Sequence, residues 1–258
     1  MKKVNAGRDI VLELQKVSIG YNKAIYNNID ASAQKGQMIA VIGANGTGKS
    51  TLLKSLSGAI PYISGEISLL SKSIKEYKAS QLAQKVSFVP AQSPRAQRFS
   101  LFDMLATGCY NRSNWLGSIS YEDEILIRET LNKVALSSFE NRDISTLSDG
   151  EFQRAAIARS LVQNSQIILL DEPTAFLDIE NKITVTKLLQ KITLEQNKTI
   201  IFSTHDLQQA IKICDKIWIL GHSNFITGSP TSLIEKGAFD KIFKDSSLKF
   251  NSTLLTFV

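Results

Sequence analysis

The chain has 258 residues, 43% of them apolar, and a formal net charge of +6; this is ample for a buried core and excludes a disordered polyelectrolyte. Its two cysteines, Cys109 and Cys214, lie far apart without metal-type spacing, so neither a disulfide framework nor a structural zinc is expected, and reduced cytosolic thiols fit them. The basic excess is scattered rather than gathered into a Lys/Arg arm, so it reads as solvated surface and direct nucleic-acid binding is not expected.

The opening MKKVNAGRDIVLEL carries two lysines with no apolar run of about 7–15 residues behind them, so a secretory signal is not expected. A β-branched strand is predicted over Val11–Val17, and Tyr21 follows it. A second apolar run, Met38–Ile42, leads straight into Gly43-Ala44-Asn45-Gly46-Thr47-Gly48-Lys49-Ser50-Thr51, with a helix predicted over Lys49–Leu56 and stopped by Gly58. This is a GxxxxGK[ST] loop in strand–loop–helix context. Its glycines let successive backbone N–H groups turn inward toward phosphate oxygens, beside the positive end of the helix. Lys49 is placed to reach β- and γ-phosphates, and the Ser50 hydroxyl to coordinate Mg²⁺.

Strands are predicted next over Glu66–Leu69 and Val86–Val89, the latter followed by Pro90 and Gln92. From about residue 93 to 163 helices are expected without strands, namely Tyr121–Leu136 and Glu151–Gln163. The second opens at Thr146-Leu147-Ser148-Asp149-Gly150-Glu151, where Ser148 and Glu151 have capping-box spacing. The strand Ile167–Leu170 is apolar throughout, as in a central parallel strand, and ends in Asp171-Glu172-Pro173. Ligands bind beyond the carboxyl ends of such strands. Asp171 can therefore hold Mg²⁺ through its water shell, and Glu172 can take the proton of an attacking water. A helix over Asn181–Glu195, a strand over Thr199–Ser203, His205, a helix over Leu207–Ile213 and a strand over Ile217–Leu220 complete the alternation. The longest stretch free of Asp, Glu, Lys and Arg, Ile217–Ile234, is broken by Gly221, His222, Asn224, Gly228 and Pro230 and is not expected to span a bilayer.

Leu-Ser-Asp-Gly-Glu followed by Gln153-Arg154 and an Ala-rich helix resembles the signature of the ABC (ATP-binding cassette) family, usually spelled LSGGQ; Asp149 and Glu151 are its departures. The resemblance implies an α/β P-loop NTPase core with a mixed, largely parallel sheet, an N-terminal antiparallel β-subdomain and an α-helical insert. It implies a nucleotide-binding core over 1–92 and 164–222, a helical signature subdomain over 93–163 and a short C-terminal tail over 223–258. It further implies that Tyr21 stacks on adenine, that Gln92 contacts Mg²⁺ and the attacking water, and that His205 hydrogen-bonds the γ-phosphate. Ser148 and Gly150 would contact ATP held by a second copy of the chain, so the expected state is a homodimer with two ATP sites. Ala175-Phe176-Leu177-Asp178 resembles the D-loop, with Asp178 matching and Ala175 lacking the usual serine hydroxyl.

Ala106–Tyr110, Trp115-Leu116-Gly117 and the signature spelling look like importers of iron chelates, haem and cobalamin, although those usually carry Arg at Cys109 and Pro at Asn111. An ATPase working with integral membrane permease subunits and a substrate-binding protein, peripheral on the cytoplasmic face of the membrane, is what this implies. A soluble non-transport ATPase and an exporter cassette are the competing readings. His222 is expected at the surface.

Overall fold

The computed structural model describes residues 9–110, 119–221, 224–242 and 249–257; Asn111, Trp115–Gly117 and His222 lie outside them. In chain order the strands are β1 (Ile10–Gly20), β2 (Ala24–Gln34), β3 (Met38–Gly43), β4 (Ser64–Leu69), β5 (Lys72–Ser73), β6 (Val86–Val89), β7 (Ile167–Leu170), β8 (Thr199–Ser203), β9 (Lys216–Leu220), β10 (Phe225–Gly228), β11 (Phe250–Asn251) and β12 (Thr256–Phe257). The α-helices are α1 (Lys49–Leu56), α2 (Ala79–Ala83), α3 (Leu101–Ala106), α4 (Tyr121–Lys133), α5 (Asp149–Val162), α6 (Ile179–Gln196), α7 (Leu207–Ile213) and α8 (Pro230–Glu235).

An antiparallel sheet of order β2-β1-β4-β5 faces a six-stranded sheet of order β10-β9-β3-β8-β7-β6, parallel except at β10. The two-residue side-chain period of the central strands divides the core. Ile39, Val41, Ile167, Leu169, Ile201 and Trp218 point toward the antiparallel sheet and α1. Their neighbours Met38, Ala40, Ile168, Leu170, Ile200 and Phe202 point to the opposite face, where α5, α6 and α7 pack. Burial on both faces explains why these strands read as continuous apolar runs. Each large aliphatic side chain so buried contributes about 1.5–3 kcal/mol.

Between β6 and β7 the described residues form α3, α4 and α5, joined by an isolated bridge of Ser100 to Asp143. Helix α4 ends at Lys133 rather than the predicted Leu136, because Ala135 takes a left-handed φ of 56° and breaks the turn. Beyond β9 the stretch read as a tail supplies β10 to the central sheet, and Leu233, Phe239 and Ile242 to its core. Among the described residues, no helix is long and apolar enough to cross a membrane. Cys109 and Cys214 are both buried.

Candidate functional site

The sheet order sets the site. Strands β3, β8, β7 and β6 are consecutive parallel neighbours, so the residues after their carboxyl ends line up along one edge: Gly43–Lys49, Thr204–His205, Asp171–Glu172 and Pro90–Gln92. Adjacent strands lie about 4.8 Å apart, which brings the sequence-distant motifs into one row.

After β3 the chain curls through Gly43–Gly48 and enters α1. Gly48, at the N-cap, has φ 101°, a conformation that any side chain would strain. Thr47 closes the curl by donating its hydroxyl to the Ala44 carbonyl at 2.9 Å. Lys49 is buried, and its Nζ donates to the carbonyls of Gly43 at 3.0 Å and Ala44 at 3.1 Å. Burial lowers its pKa from the ordinary lysine value, opposed by the charges of Glu172 and Asp171, which ties the loop electrostatically to the acidic pair. Asn45 and Gly46 are exposed, Ser50 is half-buried and Thr51 is buried. Ser50 makes no side-chain hydrogen bond among the described residues.

The acidic pair is held by a residue that the sequence reading passed over. Ser203, buried at the end of β8, donates its hydroxyl to Asp171 Oδ1 at 2.7 Å and accepts the Glu172 N–H at 2.8 Å. Glu172 has a left-handed φ of 49°, a backbone cost of about 1–3 kcal/mol that persists where surrounding structure enforces it. Its Oε1 lies 2.9 Å from His205 Nε2. A polar residue closing an apolar strand next to the acid-bearing one was the available signal for Ser203.

Tyr21 stands 62% exposed in the turn between β1 and β2. The neighbouring residues of that hairpin, Ile19 and Ile25, come within contact distance of Gly48, so the turn overhangs the loop. Gln92 is exposed. It lines a cleft of about 430 Å³ with Arg95, Asp149, Phe152 and Phe176.

Ser148 caps α5 as its spacing predicts: the Glu151 N–H donates to Ser148 Oγ at 3.3 Å and the Ser148 N–H to Glu151 Oε2 at 2.8 Å. The latter bond is the main reason the Glu151 carboxyl is held below its ordinary range. Gly150 packs against Asn181, whose Oδ1 would lie 2.1 Å from a Cβ there. Asn181 donates in turn to both Asp178 carboxylate oxygens, through its N–H at 2.8 Å and Nδ2 at 3.1 Å, and accepts from Arg154 Nη1 at 3.1 Å. Asp178 also caps α6. Gly150, two residues along the chain from Ser148, is thus joined to Asp178 by an asparagine whose part was not visible in the sequence.

Comparison with known proteins identifies relatives of this chain. The achromobactin transport ATP-binding protein CbrD of Dickeya dadantii is 30% identical over 231 residues, covering 89% of this chain and 86% of its own length. The petrobactin import ATP-binding protein FpuD of Bacillus anthracis is 31% identical over 236 residues, covering 90% and 86%. A transporter described as of metal-chelate type, solved in an inward-facing conformation, matches with TM-score 0.81 at 28% identity, covering 93% of this chain and 90% of that one. The pattern of the ABC transporter family matches residues 26–175. That stretch contains the loop, the capped helix and the acid-bearing strand, and the chain belongs to the ABC transporter family.

Proposed function

We propose that this chain is the ATP-binding and hydrolysing subunit of an importer that energises uptake of an iron-siderophore, haem or cobalamin type substrate through a separate membrane permease. The observation that carries the catalytic part is the acidic pair: Asp171 and Glu172 are locked by one serine, with His205 against Glu172 and Lys49 on the neighbouring loop.

The N–H groups of Gly43–Thr51 cradle the phosphates of ATP, and the ammonium of Lys49 exchanges its loop carbonyls for β- and γ-phosphate oxygens. Tyr21 offers a ring to adenine, where stacking contributes about 1–3 kcal/mol. The donor set fits magnesium, which prefers hard oxygens and takes few of them from protein. Ser203 occupies one oxygen of Asp171 and leaves the other, and the Ser50 hydroxyl and the Gln92 amide oxygen complete the candidates. When bound, the ion supplies charge neutralisation across the β- and γ-phosphates.

Glu172 takes a proton from the attacking water as its oxygen bonds to the γ-phosphorus and the bond to the β,γ-bridging oxygen breaks, giving ADP and phosphate. His205 holds Glu172 and hydrogen-bonds the γ-phosphate. Ser148, Gly150 and Asp178 meet the nucleotide site of a second copy, so two copies enclose two ATP molecules. We infer as partners integral permease subunits and a substrate-binding protein, and a peripheral position on the cytoplasmic face of the membrane; the relatives' names, which specify transport of achromobactin and import of petrobactin, support this reading.

Deleting the gene and measuring uptake of radiolabelled ferric siderophore, haem and cobalamin tests the assignment. Loss of one of these, restored by the intact chain and not by Lys49→Ala, is expected. Normal uptake of all three with loss of an unrelated nutrient overturns the substrate class.

A further inference from the structure

We propose that Arg95 is a positioning residue that clamps the start of α5 to the segment carrying Gln92, with Asp149 as its anchor. The proposal rests on the reading that Ser148 and Gly150 meet a nucleotide on a second copy. Residues 92–96 follow β6 without helix or strand. From them a single guanidinium makes three contacts to one turn of chain. Its Nη2 pairs with Asp149 Oδ1, its Nη1 donates to the Leu147 carbonyl at 2.7 Å, and its Cζ lies 4.5 Å from the centroid of the Phe152 ring. Leu147 and Phe152 are buried, so the turn is rooted in the core, while Ser148 and Asp149 are exposed.

An exposed ion pair alone adds little to stability, and stability is not the point. The planar fork fixes direction as well as distance, and the aromatic face beneath it removes the remaining freedom to swing. Asp149, standing where glycine is usual in the signature, thus acquires a function inside its own chain: its carboxylate is drawn toward Arg95. A displacement of the Gln92 segment is then carried to Ser148 and Gly150 instead of being lost in a slack loop.

The test compares Arg95→Ala, Asp149→Ala, the double variant and Arg95→Lys. It measures steady-state ATPase, fluorescent-ATP binding at concentrations where the protein is monomeric, and ATP-dependent pairing in a Glu172→Gln background. Each single alanine variant is expected to lower kcat about three- to tenfold and to weaken pairing, with the double variant no worse than the poorer single, since contacting groups are non-additive. Monomer nucleotide affinity should stay within about twofold, because no clamp residue touches the phosphate loop. Arg95→Lys, which keeps the charge and stem but not the fork, should recover little; it also decides the matter if an alanine variant does not fold. Full turnover in Arg95→Ala, additive losses or complete rescue by lysine overturns the clamp. Failure of the Glu172→Gln parent itself to pair with ATP is a distinct result that overturns the underlying reading and the clamp with it.

Discussion

Ser203 satisfies two groups at once, a buried carboxylate oxygen of Asp171 and the N–H of Glu172. Removing its hydroxyl leaves both unpaired, with Asp171 buried, a cost of about 1–3 kcal/mol. The same loss frees the left-handed backbone at Glu172. Ser203→Ala is therefore expected to lower unfolding stability by that amount in urea titrations, and to reduce kcat about tenfold while leaving ATP affinity nearly unchanged, because Lys49 and its loop are untouched. Wild-type kcat in a folded Ser203→Ala protein contradicts this role. The contiguous motifs were legible because a phosphate loop needs glycines, lysine and a hydroxyl within a few consecutive residues. Ser203, Arg95 and Asn181 were not, because their partners lie 31, 54 and 27 positions away, at Asp171's neighbour Glu172, at Asp149 and at Arg154. No local spacing announces such contacts.

Helix α5 is the element on which the proposed trans face is built, and its geometry hinges on Gly150. A Cβ there would sit 2.1 Å from Asn181 Oδ1, and the Asn181 side chain cannot retreat without giving up its Nδ2 bond to Asp178 and the bond it accepts from Arg154. Gly150→Ala is expected to destabilise the chain by about 1–3 kcal/mol despite alanine's better helix propensity, since overpacking outweighs it. Adding Asn181→Ala should recover most of the lost Tm. An unchanged Tm in the single variant counts against the contact. At this scale the buried parallel strands were legible from their apolar runs, whereas β2 was not. Its sequence AIYNNIDASAQ mixes six apolar with five polar residues, and a left-handed Asn28, φ 54°, shifts its register against β1 and breaks the two-residue alternation that marks a strand. Helix α3 escaped for a different reason: six residues show less than two turns of periodicity.

Over the whole molecule, two cores on opposite faces of one sheet hold four motif-bearing strand ends in a fixed row, while Gly150 and Asp178 meet through Asn181. Exposed Phe176 and Ile179, 80% and 79% accessible, flank Asp178. Such apolar side chains beside a polar cluster suit burial against another copy. The α/β class and the helical stretch between β6 and β7 were legible from motif order. The contribution of β10 to the central sheet was not, because four residues after a turn carry too little pattern to separate a strand from a tail. The central claim is that a working site is assembled from two copies. The specific ATPase rate, measured against protein concentration in detergent-free solution, tests it most directly. The account predicts a rate per chain that climbs with concentration and levels off as pairing saturates, with Ser148→Arg suppressing it without impairing ATP binding; a full rate, independent of concentration, from a chain shown to be monomeric under assay would contradict it.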